Sequence, residues 1–383
     1  MKKITDDLIY IGVDDKDIDL FEGQYVVPEG VSYNSYLLTD EKIAVFDTAD
    51  KRKTDEWLNN LQLALNGKTP DYLIISHMEP DHSASIDEFF KKYPTATAVG
   101  NDKTFVIAER FFPALIKNKL SIKEGDELSL GKHTLKFVFA PMVHWPEVMF
   151  TYDTHDKILF SADAFGKFGA LDTNEDWACE ARRYYFNIVG KYGNVVQSVL
   201  KKAAALDIKT ICPLHGPVLT ENLSYYIEKY NTWSAYLAED KGVTVAYSSV
   251  YGNTKAAAEY LAELLKAKGE KVALFDLARC DMAEAIEDAF RYDRLVVASI
   301  TLDAGLAPSM EDFLTHLKNK NYQNRKVGFI ENGSWAPFAA KIMKGYFEGM
   351  KNVTLIEPAV TVTSALNAKS QAALKTLAEE LLK

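Results

Sequence analysis

A chain of 383 residues exceeds what one hydrophobic core usually serves, so two domains are expected. With 48% hydrophobic and 26% charged residues and no low-complexity tract, both should fold, which excludes a disordered or fibrous protein. A net charge of -10, with no cluster of Lys and Arg interleaved with aromatics, argues against nucleic acid or an anionic membrane as partner.

The three cysteines, Cys179, Cys212 and Cys280, are far apart and odd in number. Neither a disulfide framework nor a paired-cysteine metal site is expected, and the cytoplasm is the natural compartment. The N-terminus turns acidic before any apolar stretch forms, and no run approaches ~20 apolar residues, so neither a signal peptide nor a membrane span is expected.

In chain order, apolar or alternating runs at 8–13, 33–39, 42–47, 72–76, 97–100 and 134–140 predict strands. Helical periodicity appears at 54–65, where Trp57, Leu58, Leu61 and Leu65 share a face, and at 85–93. Strands outnumber helices, which predicts two sheets packed face to face with helices outside. The run Tyr72-Leu73-Ile74-Ile75-Ser76 opens into His77-Met78-Glu79-Pro80-Asp81-His82, a dense set of potential metal ligands. Pro80 lacks an N–H and fixes its φ, so the segment is expected to continue as neither strand nor helix. Three further strand ends carry a donor: His144 in Pro141-Met142-Val143-His144-Trp145-Pro146, Asp163 in Ser161-Ala162-Asp163-Ala164-Phe165-Gly166, and His215 in Pro213-Leu214-His215-Gly216-Pro217. Trp145 and Phe165 are expected to shape a dry pocket there. His133, His155 and His316 lie in polar turns or on a helix and are expected at the surface.

A helix at about 222–236 leads to a short polar stretch at 238–242, the expected linker. Beyond it, strands at 243–247, 271–276, 295–299, 326–330 and 353–356 alternate with helices at 255–268, 282–289, 310–318, 339–349 and 370–382. That alternation predicts a doubly wound parallel sheet. Ser248-Ser249-Val250-Tyr251-Gly252-Asn253-Thr254 joins the first of these strands to its helix, where hydroxyls and N–H groups favour a phosphate. Thr301-Leu302-Asp303-Ala304-Gly305 and Asn332-Gly333-Ser334-Trp335 follow the third and fourth strands. Their small residues let the backbone approach a flat ring on which Trp335 could stack. No GxGxxG follows the first strand, which argues against a dinucleotide.

The candidate ligands are His77, Glu79, Asp81, His82, His144, Asp163 and His215. They are too many for one tetrahedral zinc and suit two cations, with Asp163, alone on its loop, as the natural bridge. Imidazole and carboxylate without thiolate fit iron or manganese at least as well as zinc.

The HxExDH pattern of His77, Glu79, Asp81 and His82, followed by His144, Asp163 and His215, resembles the flavodiiron proteins (A-type flavoproteins). Zinc hydrolases of the same metallo-β-lactamase fold carry HxHxDH instead, and Glu79 makes the site harder and more anionic, favouring iron. The resemblance covers nearly the whole chain. It implies an α/β protein with a metallo-β-lactamase-like αββα sandwich over residues 1–240 and a flavodoxin-like, doubly wound, five-stranded parallel sheet over 241–383. It further implies His77, Glu79 and His144 on one iron, Asp81 and His215 on the other, and Asp163 across both. The family's counterpart of His82 binds metal in some members and swings away in others; no catalytic residue beyond the ligands is implied. The three later loops, through Ser248, Ser249, Tyr251, Gly252, Asn253, Thr254, Thr301, Leu302, Asp303, Ala304, Gly305, Asn332, Gly333, Ser334 and Trp335, would hold FMN. Activity would be reduction of O2 to water or of NO to N2O in a head-to-tail homodimer or dimer of dimers. The donor would be a separate redox protein such as rubredoxin, since no paired-cysteine module precedes Lys383. The spacing from Asp163 to His215 is shorter than in many relatives, and the shortening, near residues 171–178, is expected to trim a loop beside the site. Two other readings are a binuclear zinc hydrolase with an accessory flavodoxin-like domain, and a flavodoxin-type electron carrier with an inactive metal domain.

Overall fold

A computed structural model describes residues 2–383 and divides them into two compact units: one runs through Tyr184 and includes Asn194–Asn231, the other comprises Tyr185–Gly193 and Thr232–Lys383. The first unit is a sandwich. A seven-stranded sheet runs Lys2–Lys3, Leu8–Tyr10, Tyr36–Leu38, Ala44–Phe46, Tyr72–Ile74, Thr97–Gly100, Lys119–Ser121 in spatial order, and a five-stranded sheet runs Glu127–Ser129, Thr134–Phe139, Met149–Asp153, Ile158–Phe160, Thr210–Cys212. Every second residue points inward, so Tyr36, Leu38, Ala44 and Phe46 meet Leu135, Phe137, Ile158 and Phe160 in one core. Phe46 stacks flat on Phe160 at 3.8 Å between centroids. The helix Thr54–Leu65 covers the sheet with Trp57, Leu61 and Leu65, as its spacing predicts. The strand Met149–Asp153 carries no sequence signal because all five residues are buried, which erases the alternation that marks a strand.

One expectation fails here. His133 is buried, with Nδ1 2.9 Å from Asp153 and Nε2 3.3 Å from Asp7. Pairing of Leu135 with Asp153 brings the carboxylate beside the turn that carries His133, a neighbour that local sequence does not reveal. His155 is exposed and His316 half-buried. Burial opposes the imidazolium of His133, but Asp153, then Asp7 and Asp156, outweigh it and raise the group above its usual 6.5. A raised folded value means that this contribution to stability is complete below about pH 6.5 and lost as pH climbs through the folded value. His133→Ala should therefore flatten the dependence of Tm on pH above 6.5. An unchanged slope would show that the pair contributes nothing.

In the second unit, five parallel positions are filled in the order Val272–Asp276, Asp240–Tyr247, Tyr292–Leu302, Lys326–Asn332, and a last strand broken into Thr354–Leu355 and Val360–Val362. The short piece Gly305–Leu306 folds back antiparallel on the third strand. The helices Asn253–Ala267 and Ala368–Leu382 bury Ala257, Leu261, Leu374 and Leu377 against the sheet. Met282–Arg291, Pro308–Asn319 and Ala339–Phe347 complete the doubly wound layer. The polar stretch expected as a linker is partly strand, since the first strand begins at Asp240. No helix among the described residues is long and apolar enough to cross a membrane.

Candidate metal centre and cofactor cleft

In the first unit, four strands end in loops that converge. The carboxylate of Asp47, at the end of the neighbouring strand, accepts from the amides of Ser76 (2.7 Å) and His77 (3.2 Å) and so turns the chain out of Tyr72–Ile74. Burial pushes Asp47 up to about 6 despite these bonds and the charge of His82. Contrary to expectation, Pro80 opens a helical turn, Pro80–Ser83. At the first helical position a proline sacrifices no hydrogen bond and already has the right φ. The turn buries Asp81 and His82. Thr48 holds it, donating from N (2.9 Å) and Oγ1 (2.6 Å) to the His82 carbonyl.

Two donor groups result. His77, Glu79, His144 and Asp163 each offer an atom within 4.8 Å of the others, and Asp81, His82 and His215 do the same. Nε2 of His144 lies 2.9 Å from Glu79 and 3.0 Å from Oδ2 of Asp163, and Nε2 of His77 lies 3.2 Å from Glu79. In the second group, one Asp81 oxygen is 3.2 Å from Nε2 of both His82 and His215. Asp163 belongs to both sides: Oδ2 faces His77 and His144, while Oδ1 is 3.3 Å from His82. Both oxygens of Asp81 and Oδ1 of Asp163 are buried yet accept no hydrogen bond. Such oxygens are costly to bury unless they face a cation. Hard carboxylates and imidazoles at this density fit a pair of iron ions.

The rings are oriented from behind. Nδ1 of His77 donates to buried Glu147 (2.9 Å), which also accepts from the Met78 amide, and Nδ1 of His215 donates to the Ser32 carbonyl (2.7 Å). Both tautomers leave Nε2 free to face the centre. His82 differs: its Nδ1 is buried without a partner. Burial opposes charge on His77 and His144, but Asp163 and Glu79, joined at His77 by Glu147, outweigh it; His144 rises to about 9 and His77 well above its usual range. The same contacts hold Glu79 and Asp163 well below the carboxylate range against the penalty of burial.

Sequence reasoning missed Asp47, Ser32 and Glu147. Asp47 carried a signal, a carboxylate at a strand end; the others lie 183 and 70 residues from their partners and carried none. Phe21, Tyr33 and Tyr184 ring His215, and Trp145 meets His77 edge-on at 5.3 Å. Glu22, on the hairpin turn after Phe21, is exposed as a residue, yet desolvation of its carboxyl beside the centre and then Glu79 push it up to about 7.

In the second unit the three later loops enclose a cleft of about 320 Å³, lined by Ser249, Tyr251, Asn253, Thr254, Thr301, Leu302, Asn332, Gly333, Ser334 and Trp335, with Val250, Ile300 and Ser364. Thr254 Oγ1, in the first turn of Asn253–Ala267, is buried with no partner, as a phosphate ligand's hydroxyl would be. Gly252 starts that helix at φ 87, which favours glycine. Ser248 lies beneath the cleft, 2.8 Å from Ser309 Oγ. Asp303 and Ala304 form the positive-φ turn that pairs Leu302 with Gly305. Thr301 Oγ1 accepts from the amides of Phe338 and Ala339, fixing the end of the Trp335 loop. Trp335 and Tyr251 are 91% and 92% exposed.

Residues 31–216 match the family described as ODP family beta lactamase, and residues 244–361 match a flavodoxin domain. A nitric oxide reductase of Moorella thermoacetica is 30% identical over 94% of this chain and 92% of its own. Rubredoxin oxygen:oxidoreductase of Desulfovibrio gigas superposes with a TM-score of 0.93 at 26% identity, covering 99% of this chain and 97% of that one. The flavodiiron protein of Giardia intestinalis superposes with a TM-score of 0.91 at 25% identity, over 99% and 95%.

Proposed function

The chain belongs to the flavodiiron family of oxidoreductases, with FMN and two iron ions as cofactors, and from that premise we propose that it reduces O2 to water, NO to N2O, or both. The observation that carries this reading is Asp163, whose two oxygens face two separate donor groups. His77, Glu79 and His144 would hold one iron, Asp81 and His215 the other, with Asp163 between them. His82, without the backing partner that orients His77 and His215, is the ligand free to turn away. When bound, the iron pair supplies a two-electron reductant and a place for a diatomic oxidant, and FMN passes it single electrons. The chain's own part is to fix the donor atoms, by way of Glu147, Ser32 and Asp47, and to surround the centre with the rings of Phe21, Tyr33, Tyr184 and Trp145.

Electrons would come from a separate small redox protein such as rubredoxin, and the active form would be a head-to-tail homodimer or a dimer of dimers. The exposed Val250, Tyr251, Trp335 and Phe338 around the cleft support this, because an apolar rim is usually covered. Metal and flavin analysis, anaerobic reduction and separate turnover with O2 and NO test the function. About two irons and one FMN per chain with gas consumption are expected; two zinc ions without iron would point to a hydrolase. Trp335→Ala should weaken FMN roughly two- to tenfold, as loss of a stacking contact of about 0.5–1.5 kcal/mol implies, without lowering iron content. Unaltered flavin affinity and spectrum would remove the stacking role.

A further inference from the structure

Behind the second sheet of the first unit lies an apolar cavity of about 230 Å³. Leu159 and Ile211 are register partners on adjacent strands, and their neighbours Ile158, Phe160 and Cys212 face the core between the sheets. Leu159 and Ile211 therefore point the other way and form the cavity's floor, with Leu200 and Ala203 of Gly193–Ala203 and Ile227 of Leu223–Ser234 as its walls. Its outer margin is partly exposed at Ala203 and Ala204, and its inner end is Phe165, which is buried. Every lining side chain is hydrocarbon, so water entering it would find few partners, whereas a small apolar molecule would lose nothing.

Phe165 ties this cavity to the metal centre. It sits two residues beyond Asp163 on the same loop, its amide donates to Tyr230 Oη at 2.6 Å, and its ring packs on Tyr230 at 4.3 Å. Trp177 Nε1 donates to its carbonyl. One loop thus carries both the carboxylate shared by the two donor groups and the cavity's inner wall. Resting on the reading of O2 or NO as substrate, we propose that this cavity is a gas site, which concentrates the diatomic substrate from solvent and passes it by Phe165 to the metal centre. Both gases are small and apolar, which matches the lining, and a volume of about 230 Å³ holds several such molecules, given about 30 Å³ for a molecule the size of water.

Crystals of the iron- and FMN-loaded protein pressurised with xenon should show xenon between Leu159, Ile211 and Phe165. Ala203→Phe, which fills the cavity with carbon, should exclude the xenon and lower kcat/KM for the gas about five- to tenfold while kcat at saturating gas holds, as expected when access alone is impaired. Ala205→Phe, the same addition on the exposed turn outside the cavity, should change neither. Should Ala203→Phe fail to fold, Ala203→Leu makes the same test with a smaller loss. A wild-type enzyme that turns over neither gas overturns the proposed function and this inference with it. Turnover of gas without xenon in the cavity, or with unchanged kcat/KM in the filled variant, overturns the gas site alone.

Discussion

Asp163→Ala is expected to strip both metal positions at once, taking iron from about two per chain to well below one and abolishing gas reduction. The reason is geometric. Oδ2 lies 3.0 Å from Nε2 of His144 and 3.5 Å from that of His77, Oδ1 lies 3.3 Å from His82, and the side chain is 1% exposed. Its loss removes an anionic group from each side and leaves His77, His82 and His144 with less negative charge to face. Loss of even an orienting partner behind a ligand costs about 10–100-fold in metal affinity, and loss of a ligand shared by two ions should cost more. FMN should stay, since the cleft's residues belong to the other unit. Flavin retention with normal far-UV circular dichroism would show that the fold survived, and iron still near two per chain would refute the bridging role.

His215→Ala should stop gas reduction by at least about 100-fold while FMN stays bound and reducible. Its Nε2 is 3.2 Å from Asp81 and its Nδ1 is locked to Ser32, whereas the neighbouring His82, whose Nε2 lies 3.0 Å away, has no partner behind it and is a poor replacement. One iron, held by His77, Glu79, His144 and Asp163, should persist. His82→Ala should cost far less, because that ring lacks a backing partner. Intact oxidant consumption in the His215 variant would mean that the first unit is a scaffold and the flavin alone reacts.

Much of this was legible from local pattern. Strand ends followed by His, Asp or Glu pointed to seven candidate donors, which the structure gathers into two groups, because a ligand must leave a strand to converge with others, and turn chemistry leaves a mark within a few residues. Regular alternation of strand and helix beyond residue 240 likewise announced the doubly wound sheet. What lay between distant segments left no such mark. Glu147 behind His77, Ser32 behind His215 and Asp153 beside His133 are partners only because strands from different parts of the chain lie side by side. Phe165, expected to shape a pocket at the site, lines a cavity behind the sheet, since a loop at positive φ sends its side chain where periodicity cannot predict.

The sequence by itself determined the chemistry on offer: which candidate donors exist, how hard they are, and that a flavodoxin domain accompanies them. Only the tertiary structure decided how those donors divide into two groups with Asp163 between, which imidazole nitrogen faces the centre, and why His82 stands apart. Residue type and spacing are local properties, whereas tautomer, bridging and access depend on atoms that the fold brings together from distant parts of the chain, 70 residues apart for His77 and Glu147 and 183 for His215 and Ser32.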